Sequence, residues 1–281
     1  MIEVHPSAVV DSSAWLGDDV KIGPNCVIER NVHIGDGTVL DANVVICKGV
    51  RLGSRNHLFS NCTIGAYPQI LGLGMDAEVG GLVIGDRNTI REQVTIHPSM
   101  YPQGATRIGS DNLLMIGVHI GHDCTVEDKT VLSNYVQISG HCKIETGVWL
   151  SGMVTIHQFV TIGKWVYGAA LAGINHDVPP FMIVSGHYPP VIRGVNKRGM
   201  TRAGLSDEQQ AKVAEAYKKI YRRKGALLDN VKALEADLSA AASAKAEDGL
   251  DENVQAIIDA INRSSQQRFG RYLELSRHSG R

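Results

Sequence analysis

From Val4 the chain carries an aliphatic residue at every sixth position, through Val10, Leu16, Ile22, Ile28, Ile34, Leu40, Ile46, Leu52 and Leu58 to Ile64. The ladder returns at Ile84, Ile90 and Ile96, and again from Ile108 through Leu114, Ile120, Val126, Leu132, Ile138, Ile144, Leu150 and Ile156 to Ile162. Six residues do not bring an α-helix back to one face, whereas short strands joined by tight turns can point inward once per hexad. Two residues before each rung lies a second, smaller ladder, with Ala8, Ala14, Val20, Cys26, Val32, Thr38, Val44 and Val50, and later Val118, Cys124, Thr130, Val136, Cys142 and Val148. Gly follows many rungs, as in Leu16-Gly17, Ile22-Gly23 and Ile34-Gly35, where the chain must bend. The pattern predicts a mainly β fold, a β-solenoid with three hexads per coil forming a triangular prism.

The ladder fades near Ile174 in a chain of 281 residues, leaving room for a second unit. The expected organisation is a solenoid over residues 1–192 and a helical domain over 193–281. Between Ile64 and Ile84 the spacing is not a multiple of six, so residues 66–81 must leave the solenoid as a loop. Between Ile96 and Ile108 the phase is kept, but Pro98, Pro102 and Gly104 predict a second excursion or an irregular rung. In the tail, Ser206 and Gln209 form a capping-box pattern ahead of an amphipathic helix through Val213, Tyr217, Ile220 and Tyr221, which Gly225 ends. A second helix through Leu228, Val231, Leu234 and Leu238, an Ala/Ser-rich joint, and a further helix through Val254, Ile257, Ile258 and Ile261 follow.

Four of the five cysteines (Cys26, Cys62, Cys124, Cys142) sit on the small inward ladder and read as core filling, with Cys47 left over. The N-terminus lacks a basic-then-apolar leader and no apolar run suffices to span a membrane, so a cytoplasmic protein is expected. Net charge is only −1, yet residues 193–281 hold 17 of the 28 Lys/Arg and 12 of the 29 Asp/Glu. Lys218, Lys219, Arg222, Arg223 and Lys224 offer either a solvated helix face or a docking patch for an acidic partner. They are not interleaved with stacking aromatics, which argues against nucleic acid.

His119, His122, His141 and His157 lie outside both inward ladders. Coils that stack about every eighteen residues would align His122, His141 and His157 along one edge of the prism. Such a row is either a general base with polar support or a metal site.

Taken in order, His119-Ile120-Gly121-His122-Asp123-Cys124, Ser139-Gly140-His141, Val154-Thr155-Ile156-His157-Gln158-Phe159, Asp177-Val178-Pro179-Pro180-Phe181 and Gly194-Val195-Asn196 closely resemble the acyl-carrier-protein-dependent UDP-N-acetylglucosamine O-acyltransferases that begin lipid A synthesis. The upstream stretch Ile84 to Glu92 with Val94-Thr95-Ile96-His97 fits the same family. The resemblance implies a left-handed parallel β-helix, a homotrimer, and active sites between neighbouring prisms. It implies that His122 is the general base, Asp123 orients its imidazole, and the backbone N–H of Gly140 binds the oxyanion. His119, His141, His157 and Gln158 are expected to hold sugar, phosphates or acyl group. Gln69, Asn196, Arg198 and Arg202 are expected among the substrate contacts, and Ala170 at a position that gauges acyl length. Acyl carrier protein and a UDP-sugar are the implied partners; no cofactor and no metal are called for, because the thioester is already activated.

The chain departs from the family where a loop usually reading Q-D-x-K-Y runs Gln69-Ile70-Leu71-Gly72-Leu73, so an expected Asp is Ile70 and an expected Lys is Gly72. A paired arginine is reduced to Arg202-Ala203, with Arg198 placed to compensate. These changes leave open an acyltransferase using His122 on another nucleotide-linked or amino sugar, with N-acylation in the latter case. A zinc carbonic-anhydrase-like trimer and a non-catalytic acyl-carrier-binding scaffold are the readings from other classes.

Overall fold

The computed structural model describes residues 1–74, 76–244 and 251–278. Its first part is the expected prism, a parallel β-solenoid whose faces are sheets of eleven, nine and eight strands. The first sheet begins with Glu3–Val4, the second with Val9–Val10 and the third with Trp15–Leu16, and most strands are only two residues long. In each ordinary coil a strand pairs with the one eighteen residues on, as Lys21 with Val39 and Val39 with His57. Both ladders point inward: Ile28, Ile46, Ile64, Cys26, Val44 and Cys62 are all fully buried. Each such side chain contributes roughly 1.5–3 kcal/mol of burial free energy, offset largely by the ordering of the backbone. Coils approach closely at the corners; a Cβ on Gly35 would sit 2.6 Å from the backbone carbon of Gly53.

A polar spine runs inside this apolar column. Thr38, Asn56, Asn88, Asn112 and Thr130 are buried on the small inward ladder. Asn56 Oδ1 accepts from the backbone N–H of Asn88 at 2.9 Å, Asn88 Oδ1 from that of Asn112 at 3.0 Å, and Asn112 Oδ1 from that of Thr130 at 2.7 Å. The side-chain amides of Asn56 and Asn88 reach the carbonyls of Gly85 and Gly109 across the corner. The ladders include Thr38 and Thr130, but the aliphatic pattern does not announce the three asparagines.

Both interruptions of the ladder are excursions. His57 pairs with Thr89 across the first, and Thr89 with Leu113 across the second, after which the eighteen-residue step resumes. The second one keeps the hexad phase because the chain that leaves is six residues long, which settles it as an excursion rather than an irregular rung.

From Asp19 onward most corners place their second turn residue in the left-handed region. In the lower coils that residue is often Asn, as at Asn25, Asn31, Asn43 and Asn61 (φ 57–66°), which tolerates the conformation. In the upper coils Tyr135, His141, Met153, Phe159 and Leu171 occupy it, at a cost the rigid neighbours absorb.

The last first-sheet strands, Met182–Ser185 and Val191–Val195, form an antiparallel pair that closes the prism above Phe181. The division expected at 192/193 therefore falls inside a strand. Helices α1 (Lys197–Arg202), α2 (Asp207–Tyr217), α3 (Leu227–Ala244) and α4 (Glu252–Ser265) follow, and the Ser206/Gln209 capping box opens α2. A π-turn over Lys218–Arg222 extends α2, and Tyr217 and Tyr221 stack at 5.4 Å across it. The Ala/Ser-rich stretch expected as a joint is instead the last part of α3, in keeping with alanine's helix propensity; residues 245–250 lie outside the described residues. Cys26, Cys62, Cys124 and Cys142 are buried and free, as expected of core fillers, and Cys47 is half-buried. Among the described residues no helix is long and apolar enough to cross a membrane.

Candidate active site

Residues 121–124, 139–142 and 157–160 are successive turns at the corner between the second and third sheets. Of the expected row of three imidazoles, the structure keeps two. His122 and His141 meet edge to face, with ring centroids 4.9 Å apart. The third place belongs to Phe159, stacked on His141 at 4.6 Å and 3°. The reason is the coil step: eighteen residues from His141 lead to Phe159, and His157 falls two positions earlier, in the row of Gly121 and Ser139. His157 and Gln158 are exposed, and His157 Nδ1 lies 3.2 Å from the carbonyl of Gln158.

His122 is only 8% exposed. Its Nδ1 lies 2.8 Å from Asp123 Oδ2. Asp123 accepts two further hydrogen bonds, from Ser99 Oγ and from the backbone N–H of Met100 at 3.1 Å, while its own N–H donates to Thr106 Oγ1 at 2.8 Å. Burial pushes the Asp123 carboxyl up, but the hydrogen bonds from His122, Ser99 and Met100 outweigh it, and the group lies below its ordinary value. An ionised Asp123 accepts from Nδ1–H, so Nε2 carries the lone pair. That Nε2 sits over Gly140: a Cβ there would lie 2.6 Å from both Nε2 and Cε1.

Gly140 also leaves a backbone donor open. At the corner between the third and first sheets the first turn N–H is often capped by a side chain of a neighbouring coil, as Ser110 by Asp128, Thr146 by Glu127 and Lys164 by Glu145. No such cap is found for Gly140 among the described residues. A lone-pair nitrogen above an uncapped N–H is the arrangement for removing a proton and stabilising an oxyanion.

His119 lies on the adjoining strand, its Nδ1 2.9 Å from Thr95 Oγ1. Burial, then the neighbouring His97 and His122, lower it to about 4, so it is a neutral polar group at physiological pH. His97, buried 5.2 Å from His119, anchors the first excursion through its Nδ1, 2.9 Å from the carbonyls of Ala66 and Tyr67. His97, Ser99, Thr106 and Phe159 were not singled out from the sequence as site residues. Ser99 carries no phase signal, Thr106 sits on the small inward ladder two residues before Ile108 and reads there as core filling, and Phe159 emerges only once the coil step is fixed.

The remaining expected site residues lie elsewhere on the prism. Gln69 is exposed on the first excursion beside Leu71, whose side chain is wholly in solvent. Ala170 is exposed at the corner between the first and second sheets. Arg202 lies over the ring of Trp149 at 4.5 Å, on the outer face of the first sheet, one helical turn from the exposed Arg198. Asn196 caps α1: its Oδ1 accepts from Gly199 N–H and its Nδ2 donates to the Trp165 carbonyl. The first sheet is the side of the triangle opposite the His122 corner, so Arg202 cannot reach the imidazole of its own chain.

His122, Asp123 and His141 place donor atoms within 4.8 Å of one another, the set a metal would use. The Asp123 carboxylate, however, is already engaged by His122, Ser99 and Met100, and acts on the imidazole rather than toward an open centre.

A turning, hexad-built prism with this corner is a transferase fold of the hexapeptide-repeat class. The family model for a hexapeptide repeat of succinyl-transferase matches residues 15–48, and that for UDP-N-acetylglucosamine O-acyltransferase domain 2 matches residues 177–270. A protein of Janthinobacterium sp. (strain Marseille) named acyl-(acyl-carrier-protein)–UDP-N-acetylglucosamine O-acyltransferase is 46% identical over 78% of this chain and 83% of its own length. Its namesake from Halorhodospira halophila is 40% identical over 95% of this chain and 98% of its own. The Francisella novicida UDP-N-acetylglucosamine acyltransferase structure superposes with a TM-score of 0.83 at 33% identity, covering 93% of this chain and 91% of that one. That of Moraxella catarrhalis gives 0.82 at 35%, covering 92% and 96%. The chain belongs to the acyl-carrier-protein-dependent UDP-N-acetylglucosamine O-acyltransferase family.

Proposed function

We propose that the protein moves a 3-hydroxyacyl group from acyl carrier protein to the 3-hydroxyl of UDP-N-acetylglucosamine, the first step of lipid A synthesis, in the cytoplasm. The observation that carries the mechanism is the His122 imidazole, held by Asp123 on one nitrogen and, among the described residues, unbonded on the other above Gly140. Nε2 takes the proton of the sugar hydroxyl as its oxygen attacks the thioester carbonyl. Asp123 stabilises the imidazolium that forms, and the Gly140 N–H stabilises the tetrahedral oxyanion. As the intermediate collapses, the carbon–sulfur bond breaks and the carrier thiolate takes the proton back from Nε2. General-base catalysis of this kind is worth about 10²- to 10⁴-fold. No cofactor takes part, since the thioester supplies the leaving group. The neutral His119, with His141, His157 and Gln158 around the corner, supplies polar contacts to sugar, phosphate and acyl group.

The active unit is a homotrimer in this reading, because the groups a nucleotide sugar needs stand on separate sides of one prism. Arg202 and Arg198 of one copy face the His122 corner of the next. Tyr135, Met153 and Leu171, 47–64% exposed along the corner that also carries Ala170, give the apolar row a second copy would cover. Acyl carrier protein, an acidic partner, docks on the basic surface of Arg223 and Lys224, both exposed beside the π-turn.

The test supplies purified protein with acyl carrier protein loaded with a range of acyl chains and with a panel of UDP-sugars, and reads products by mass spectrometry. An ester of UDP-N-acetylglucosamine, lost on His122→Ala with the oligomer intact, is expected. Turnover of another acceptor alone, or an active His122→Ala protein, overturns the assignment.

A further inference from the structure

We infer that Ser99, delivered by the second excursion, is a positioning residue for the transfer: it keeps Asp123 turned toward Nδ1 of His122 and so fixes the imidazole that takes the proton. This rests on the proposed role of His122 as base.

Ser99 is fully buried, and its Oγ donates to Asp123 Oδ1 while accepting the N–H of Tyr101 at 3.0 Å. The carbonyl of Tyr101, at 3.2 Å, is the competing acceptor; a charged carboxylate wins such a competition. The seryl backbone is fixed on both sides, its N–H donating to Gly81 O at 3.1 Å and its carbonyl accepting from Gly80 N–H at 2.9 Å. Room is made by two glycines: a Cβ on Gly104 would lie 2.3 Å from Ser99 Oγ, and one on Gly80 2.9 Å from Ser99 Cβ. Gly80 and Gly81 end the first excursion, and His97, two residues before Ser99, ties that excursion's start. The two excursions are thus one stitched assembly behind the Asp123 carboxylate, and Ser99 is the side chain that reaches it.

Oδ2 of Asp123 has His122 and the Met100 N–H, whereas Oδ1 has Ser99 as its partner. Without that hydroxyl the carboxylate is free to rotate away from Nδ1. The hydroxyl also stabilises the pair most when His122 is neutral and the pair carries a negative charge. Its loss therefore makes the pair more basic. The other titratable groups facing the pair are His141 from the next coil and His119 from the adjoining strand, and the substitution leaves both in place.

The experiment measures Ser99→Ala in the full chain by acyl transfer. A hydrogen bond to a charged group is worth about tenfold or more in rate, so kcat falls at least about tenfold while KM for both substrates stays within about twofold. The acid limb of kcat/KM moves to higher pH, which a merely structural loss would not do. In an Asp123→Ala background, Ser99→Ala has no further effect. Ser99→Cys, which keeps the volume with a weaker donor, gives an intermediate kcat, and it carries the test if Ser99→Ala does not fold. Wild-type kcat and pH limb in the variant, or an additive loss in the Asp123→Ala background, overturns the inference. An active His122→Ala protein instead overturns the acyl-transfer reading, whereas an inactive one beside a fully active Ser99→Ala protein sinks the role of Ser99 alone.

Discussion

Gly140→Ala separates the chemistry of the corner from the stability of the prism. Gly140 is the first turn residue, and the left-handed conformation belongs to His141 (φ 62°), so an alanine is not opposed by the backbone here. The obstacle is the imidazole. The new methyl carbon would meet His122 Cε1 and Nε2 at 2.6 Å and Cδ2 at 3.1 Å, where ordinary contact begins at 3.4 Å. The ring must retreat by about 0.8 Å, the difference between 3.4 and 2.6 Å, or the turn must shift and take its N–H along. Retreat stretches or tilts the 2.8 Å bond to Asp123 and lifts Nε2 from its place above the backbone donor. A displacement near 1 Å costs about 10²-fold in rate, and loss of an oxyanion donor about 10²- to 10³-fold. The expected outcome is a kcat at least about 10²-fold lower, with KM for acyl carrier protein little changed. Stability changes by less than about 2 kcal/mol, because the inward ladders are untouched. Steady-state acyl transfer and denaturant unfolding of the same preparation measure both. A Gly140→Ala protein with kcat within about threefold of wild type would refute the placement of the reacting atoms over this turn.

Replacing Asn88 by Ala in the polar spine strands the Asn112 N–H and the Gly109 carbonyl in the core and should destabilise by about 2–5 kcal/mol in urea unfolding, with kcat of the folded fraction unchanged. Mixing His122→Ala and Arg202→Ala chains tests the shared site: randomly assembled trimers should recover about a quarter of wild-type activity, since each site draws an intact residue from each chain with probability one half, and no recovery would mean that one chain supplies both. Asp177, whose oxygens accept from the N–H groups of Thr161 at 2.7 Å and Tyr272 at 2.9 Å, is pushed up to about 6 by burial. Its raised value makes a stabilising contribution that is complete below about pH 4 and lost as pH rises through about 6, so the melting temperature of wild type should fall relative to that of Asp177→Asn across that window.

The prism was legible because a solenoid repeats one instruction: two inward residues per hexad, written in aliphatic and small side chains from Val4 to Ile162. The first excursion was legible as a break of phase and the second as a Pro- and Gly-bearing stretch that kept it; His122 and His141 stood out as histidines that the ladder does not explain, and Asp123 through the resemblance to the family. What stayed hidden depends on neighbours in the next coil. The row His122, His141, His157 failed at its third member because a two-residue offset moves a side chain to another row, and Phe159 took the place. Asn56, Asn88 and Asn112 were invisible because an inward amide is satisfied only by carbonyls of an adjacent turn. Ser99 was invisible because a loop residue has no period. The separation of Arg202 and Ala170 from His122 follows from the triangular cross-section, which spacing along the chain does not encode.

The asparagine spine has an evolutionary consequence. It links Asn56 to Asn88 and Asn88 to Asn112, so each excursion is bracketed by an amide that marks where the chain must re-enter. A loop delimited in this way can be lengthened, shortened or exchanged without disturbing the coils above and below it. The departures at Ile70 and Gly72 lie inside such a bracket and between the ties at Ala66, Tyr67, Gly80 and Gly81, so the fold permits this middle part of the loop to diverge while the corner that performs the reaction stays the same.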